Sequence, residues 1–279
     1  MFKPYDLGDK VALVTGGRRG IGRGIALRLA AAGAAVILTG EKLTDEGLEE
    51  TREFIERVGG KAAVLACDLA DAQSREGLIQ SAQNFFGPID ILVNNAAFNS
   101  YEYASTMPVS SRNKIFEINF HGPVDLIQQA LPAMLEKKWG RILNICSETM
   151  RQAPIPYPGP EQYVHGLAVY GASKIALERY TFGLAAELHG SGVHVNATYP
   201  YRVCVTEMNS AAAKQSLKAH PDWAESVEMM AEASMALIGG TLTGISKSSR
   251  EIVQMLQQPL HGLDGKTITG DARTLATLD

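Results

Sequence analysis

Val11-Ala12-Leu13-Val14-Thr15-Gly16-Gly17-Arg18-Arg19-Gly20-Ile21-Gly22 is the stretch that decides the fold. Residues Val11 to Thr15 run apolar without alternation, as a strand buried on both faces does. Glycines follow at once, and a helical pattern extends from about Gly20 to Ala32. Gly16 permits a tight turn off the strand, Gly20 lets the backbone approach a phosphate, and Gly22 lets the helix pack closely. A helix opening this way turns its free N–H groups and positive dipole end toward an anion. Glycines alone mark only a turn. Set between a strand and a helix, they supply the context in which such a loop cradles the pyrophosphate of a dinucleotide.

The same alternation continues outward. Strands are expected at Ala35–Thr39, Ala62–Cys67, Ile89–Asn94, Arg141–Cys146 and Val193–Thr198. Helices are expected at about Asp45–Val58, Ala72–Phe86, Arg112–Glu136 and Ala168–His189. This predicts a doubly wound parallel sheet in three α/β/α layers, with ligands bound at the C-terminal edge of the strands. Beyond about Thr206 the pattern is less regular. Ser248-Ser249-Arg250-Glu251 reads as a capping box opening a helix to about Gln258, and Thr267–Thr269 as a last short strand.

The 279 residues suit one large α/β domain, and no low-complexity linker divides them. A net charge of −4 argues against a nucleic-acid partner, which needs a clustered basic face. Cys67, Cys146 and Cys204 are odd in number and far apart, so neither a disulfide framework nor a zinc site is expected. The six histidines lack metal-ligand spacing, and His165 alone lies close to the expected pocket. Met1–Lys10 lacks an apolar signal core, and no run approaches the ~20 residues of a membrane span. The chain is therefore expected to be cytoplasmic, with no metal and no membrane partner.

Reaction chemistry is suggested by Tyr170-Gly171-Ala172-Ser173-Lys174. Residues four apart share a helical face, so Tyr170 and Lys174 project together. An ammonium beside a phenol favours the phenolate and makes it a usable general acid or base. Ser147, just after the fifth strand, can hydrogen-bond a substrate carbonyl.

These residues, with the GxxxGxG spacing and Asn94-Asn95-Ala96-Ala97 after the fourth strand, resemble the short-chain dehydrogenase/reductase family from Lys10 to about Met208. The resemblance implies a single-domain Rossmann fold and a nicotinamide-dependent oxidoreductase acting on a carbonyl or secondary alcohol. It implies a catalytic set of Asn119, Ser147, Tyr170 and Lys174, with Asn119 holding a water that relays protons to the lysine. A mid-helix Asn can also mark only a kink. Cofactor contacts are implied for Gly16, Arg18, Arg19, Gly20, Ile21, Gly22, Glu41, Asp68, Leu69, Asn95, Ala96, Tyr170, Lys174, Pro200 and Thr206. Asp68 is expected to meet the adenine amino group, unless it is merely the cap of the next helix.

The choice between NADP and NAD leans to NADP. Gly40 stands where NAD-type members carry an acid, and Glu41 stands where many NADP-type members carry Arg. Arg18, Arg19 and Lys42 can neutralise a 2′-phosphate.

Several positions depart from the family pattern. Ala97 replaces a Gly, Tyr201 replaces the Gly after Pro200, and Thr206-Glu207-Met208 comes one residue later than the family's Thr-Asp-Met. The Pro-rich segment 151–166 is about ten residues longer than the family norm and is expected to form a substrate wall or a subunit contact. Residues 201–245 are expected to hold the substrate lid, and their methionines (Met208, Met229, Met230, Met235) to fill helix contacts or an apolar pocket. Relatives pair through their two long helices, so a homo-dimer or homo-tetramer is expected. Two other functions fit the fold: a cofactor-binding sensor or scaffold without chemistry, and a lyase or epimerase with tightly held cofactor. A full Ser-Tyr-Lys set argues against the first, and the lack of a sizeable extra substrate domain against the second.

Overall fold

Along β1 (Val11–Thr15) successive side chains enter two different cores. Val11 and Leu13 join Ile37, Leu92, Ile142 and Val195 on one face, while Ala12 and Val14 join Val36, Leu38, Ile91, Val93 and Leu143 on the other. Double-sided burial is why the strand carries no polar alternation. This computed structural model describes residues 5–44, 46–151, 166–207, 209 and 211–270.

β1 is followed by α1 (Gly20–Ala31), β2 (Ala35–Gly40), α2 (Glu46–Arg57), β3 (Lys61–Ala66), α3 (Ala72–Arg75), α4 (Leu78–Phe86), β4 (Ile91–Asn94) and α5 (Val109–Phe116). A π-helical turn, Glu117–His121, leads into α6 (Gly122–Glu136), then β5 (Gly140–Ile145), α7 (Ala168–Glu187) and β6 (Val193–Tyr199). The remaining elements are β7 (Val203–Cys204), α8 (Ala211–Ala219), β8 (Ala224–Glu225), α9 (Val227–Gly239), β9 (Ser246–Ser248), α10 (Ser249–Met255), β10 (Leu260–His261) and β11 (Ile268–Gly270).

The main sheet has seven strands in the order β3-β2-β1-β4-β5-β6-β9, all pairs parallel. Helices α1, α2 and α9 cover one face, and α4, α6 and α7 the other. This is the doubly wound Rossmann arrangement, and strand order reverses between β1 and β4. A ligand crevice is expected there.

Two expectations change, and two strands pair in ways the sequence did not indicate. The single helix over Ala72–Phe86 is two, because Gly77 adopts φ +72° between α3 and α4. The long helix expected from Arg112 starts at Val109 and carries the π turn around Asn119. β9 had no apolar signature, being Ser-Lys-Ser, yet it extends the main sheet. The closing strand, β11, pairs antiparallel with β10 instead of joining that sheet.

The capping box forms as its spacing suggests: Ser248 and Glu251 exchange hydrogen bonds at the start of α10. Cys67, Cys146 and Cys204 are buried and unbridged. Met229, Met230 and Met235 on α9 are core residues, so that part of the expected lid is packing rather than cover; Met208 lies outside the described residues. α9 is tied to α1 by a buried ion pair, Arg28 Nη1 to Glu232 Oε2 at 2.8 Å, and His261 Nδ1 lies 2.9 Å from the same carboxylate oxygen.

Candidate active site

The crevice at the strand-order reversal is built by Thr15 and Asn95. The Thr15 hydroxyl accepts the backbone N–H groups of Asn95 and Ala96, each at 3.0 Å. Asn95 Nδ2 in turn donates to the carbonyls of Thr15 at 2.9 Å and Gly16 at 3.2 Å. The ends of β1 and β4 are thereby held together. A Cβ on Gly22 would lie 2.4 Å from both Asn95 Nδ2 and the Gly16 carbonyl oxygen. Gly22 therefore serves the turn itself as well as close packing of the helix.

A cleft of about 670 Å³ opens here. Gly16, Arg18, Arg19, Gly20, Ile21, Gly22, Glu41, Asp68, Leu69, Asn95, Ala96 and Thr206 all line it. So do Thr39, Cys67, Phe98, Lys114 and Ile118, which carried no motif and were missed. Lys114 Nζ lies 4.8 Å from the Phe98 ring centre, and this cation–π pair is invisible in a linear reading. Asp68 is not the helix cap: its carboxylate accepts from Ala70 N at 2.9 Å, while Asp71 caps α3 by accepting from Gln73 N at 3.0 Å. The start of α1 accepts an anion, since Glu207 Oε2 takes the Gly20 N–H at 3.1 Å. That contact, the glycine cradle and the neighbouring Arg18 and Arg19 fit a phosphate-bearing nucleotide.

Ser147, Tyr170 and Lys174 come together beyond the C-terminal end of β5, on the same edge of the sheet as the cleft. The Ser147 hydroxyl faces the Tyr170 phenol and pulls its pKa down. It also accepts from Thr149, from the hydroxyl at 2.9 Å and from the backbone N at 3.3 Å. A Cβ on Gly171 would lie 2.3 Å from the Thr149 carbonyl oxygen, so the glycine after Tyr170 lets α7 press against the Ser147 turn. Farther down, a buried polar ladder seats α7 on the sheet: Asn94 Nδ2 donates to Asn144 Oδ1, and Asn144 Nδ2 to the Thr181 hydroxyl, both at 2.9 Å. Neither Thr149, Asn144 nor Thr181 had a sequence signature.

Lys174 is 1% exposed, and burial lowers the pKa of its ammonium. Its Nζ donates to the Ile145 carbonyl at 2.8 Å and stands 5.8 Å from the centre of the Tyr170 ring. Spacing alone suggested that this cation lowers the phenol's pKa. In the structure burial dominates and pushes it up, with the Ser147 hydroxyl pulling the other way. The reason is geometric: the ammonium is turned to a strand carbonyl and to the ring face.

Asn119 is fully buried in the π turn. Its Nδ2 donates to the Phe98 carbonyl at 2.9 Å and the Ser173 hydroxyl at 3.0 Å, and its Oδ1 accepts from Phe98 N at 2.8 Å. Both amide hydrogens of Asn119 are thus taken by protein.

Three of the expected cofactor contacts, Tyr170, Lys174 and Pro200, do not line the nucleotide cleft. Pro200 lines a second cleft of about 550 Å³ with Ser147, Glu148, Thr149, Arg202 and Trp223. The turn after β6 is held aside because Glu225 Oε2 accepts Tyr201 N at 2.7 Å and Arg202 N at 3.2 Å. The Tyr201 ring lies between two guanidiniums, Arg202 at 4.2 Å and Arg250 at 4.9 Å from its centre, and so does not enter the nucleotide cleft. His165 and most of the Pro-rich segment (152–165) lie outside the described residues. Among the described residues no group of His, Cys, Asp and Glu is arranged to hold a metal ion, and no helix is long and apolar enough to cross a membrane.

Residues 10–217 match the sequence profile of the family described as short chain dehydrogenase, and the chain belongs to that family of nicotinamide-dependent oxidoreductases. It is 33% identical over 228 residues to a short-chain type dehydrogenase/reductase of Picea abies, covering 77% of this chain and 80% of the relative. It is 32% identical over 202 residues to the ketoacyl reductase HetN of a Nostoc species; that match covers 72% of this chain and 66% of the relative. A crystal structure of a 3-oxoacyl (acyl-carrier-protein) reductase from Agrobacterium tumefaciens, with NADP bound, superposes with a TM-score of 0.77 at 30% identity, covering 88% of this chain and 94% of that one.

Proposed function

We propose that this protein is an NADP(H)-dependent oxidoreductase interconverting a carbonyl compound and a secondary alcohol. The observation that carries it is the buried Lys174 with its ammonium 5.8 Å from the Tyr170 ring centre, beside Ser147, in a sheet whose reversal point opens a nucleotide-sized cleft.

A nicotinamide cofactor held in the cleft would supply the hydride exchanged with the substrate carbon. Backbone N–H groups at Gly20–Gly22 would hold its pyrophosphate, Asp68 and Leu69 its adenine, Asn95 and Ala96 a ribose, and Thr206 its nicotinamide end. Arg18, Arg19 and Lys42 face the 2′-phosphate and outweigh Glu41 in net charge, which supports NADP over NAD; the Agrobacterium relative, a family member at 30% identity, holds NADP. Lys174, whose ammonium is held on the Ile145 carbonyl, would hold the nicotinamide ribose.

Ser147 donates a hydrogen bond to the substrate oxygen, and Tyr170 exchanges a proton with that same oxygen. Burial holds the phenol protonated, the form that donates a proton when a carbonyl is reduced. The 550 Å³ cleft beside Ser147 is the substrate side, bordered by Arg202, Val203, Cys204, Asp222 and Trp223. Pairing into a homo-dimer or homo-tetramer is supported by the exposed apolar Leu135 on α6 and Ile175 and Phe182 on α7.

Tyr170→Phe keeps the ring and removes the proton. It is expected to lower kcat by about 10²- to 10⁴-fold while the dissociation constant for NADPH stays unchanged. A variant that keeps most of its kcat in a carbonyl panel would remove the assignment. Comparing kcat/KM for NADPH and NADH tests the cofactor, and a strong NADH preference would overturn the NADP half.

A further inference from the structure

The start of α1 is already occupied by a carboxylate from this same chain. Glu207 reaches Gly20 N from 187 positions away, at 3.1 Å. α1 has no acidic residue in its first turn, and its N-cap, Arg19, makes no side-chain capping bond. The helix therefore takes its counter-charge from across the fold. Thr206 comes with it: the Thr206 Cγ2 lies 3.2 Å from where a Cβ on Gly20 would sit. Thr206 lines the nucleotide cleft, and Glu207 lines an adjoining hollow with Arg18, Arg19 and Arg23. The cofactor's pyrophosphate needs the same N–H groups at the same dipole end.

We propose that Glu207 is a built-in stand-in for the pyrophosphate, holding the Gly20 amide until a dinucleotide displaces it. One amide cannot serve two anions at once, and two anions in one seat repel. Binding must therefore lift the Thr206–Glu207 step from Gly20. The population with the seat closed lowers the apparent affinity by the fraction it represents. Glu207 thus sets cofactor affinity without touching the reacting atoms. This rests on the dinucleotide reading of the cleft made above.

The test is calorimetric titration of the full chain with NADPH, and with inorganic pyrophosphate as the fragment aimed at the same seat. Wild type is compared with Glu207→Ala and Glu207→Asp. The Asp variant keeps the charge but is one methylene too short to reach Gly20. Both variants are expected to tighten NADPH binding, by about two- to tenfold for Ala and by most of that for Asp, with pyrophosphate following the same order.

Equal affinities in all three forms, or weaker binding by Glu207→Ala, overturn the proposal. So does a gain in Glu207→Ala that is absent from Glu207→Asp, because that is long-range charge rather than occupancy of the seat. Melting temperatures without ligand show that each variant is folded, and if Glu207→Ala is not, Glu207→Asp carries the test. If no form, wild type included, binds NADPH or NADH, the dinucleotide reading itself fails, a result distinct from three equal finite affinities.

Discussion

The Asn119 amide donates to the Ser173 hydroxyl across 3.0 Å, joining the π turn between α5 and α6 to the helix that carries Tyr170. Ser173 passes the connection on, donating to the Tyr170 carbonyl at 2.7 Å. Ser173→Ala leaves one buried Asn119 hydrogen unpaired and should cost about 1–3 kcal/mol of stability. Asn119→Ala also strands the Phe98 backbone groups and should cost more. A double-mutant cycle read by urea denaturation is expected to show a coupling of about 1 kcal/mol, and strictly additive losses would show that the bond contributes nothing. Both variants should lower kcat while leaving NADPH affinity little changed.

Glu225 gives stability a pH dependence of unusual sign for a carboxylate. Burial raises its pKa from 4.5 to about 7, against the opposing pull of hydrogen bonds from Ser249, Arg202 and Tyr201. Between those values the folded protein keeps a proton that the unfolded chain has released. The associated stability is full below about 4.5 and is lost as pH rises through about 7. The loss is on the order of 3 kcal/mol. Glu225→Gln should flatten this part of the profile when unfolding is followed at pH 5 and pH 8. An unchanged slope would assign the dependence to another group.

The Arg28–Glu232 pair is buried at both ends, 4% and 0% exposed. Removing one partner leaves a charge in the core between α1 and α9. Arg28→Met is expected to cost about 3–5 kcal/mol, seen as a fall in melting temperature. Arg28→Met combined with Glu232→Leu should be more stable than the single variant, because no charge remains to be desolvated. A double variant less stable than Arg28→Met would show that the ion pair itself supplies net stability.

Glu41 stands in the nucleotide cleft beside Lys42, on the side of Arg18 and Arg19. Glu41→Ala should strengthen NADP binding by about two- to fivefold, the scale of one exposed charge pair, with less effect on NAD and less at high salt. An unchanged ratio of the two dissociation constants would place Glu41 away from the 2′-phosphate.

Much of the site was legible because its signals are local. Tyr170 and Lys174 share a helix face, Ser147 ends a strand, and Gly16 to Gly22 form one turn. Of the fifteen expected cofactor contacts, twelve line the nucleotide cleft. Pro200 does not, because Glu225, remote in sequence, holds the following turn against α10. The partners of Asn119 leave no sequence signal: Phe98 is 21 positions away and Ser173 is 54. Thr149 left no trace in the pattern, since nothing near it in the chain shows that Ser147 accepts its hydroxyl.

The amino-acid sequence by itself determined the layers, the glycine turn and the pairing of Tyr170 with Lys174 on one helix, since those depend on periodicity and on neighbours within one or two helical turns. Only the tertiary structure decided which anion occupies the start of α1, that Ser-Lys-Ser extends the sheet, and that burial outweighs Ser147 at the Tyr170 phenol. Each of those depends on groups distant in the chain meeting in a low-dielectric interior, where distance and desolvation set the energy and linear spacing carries no record of either.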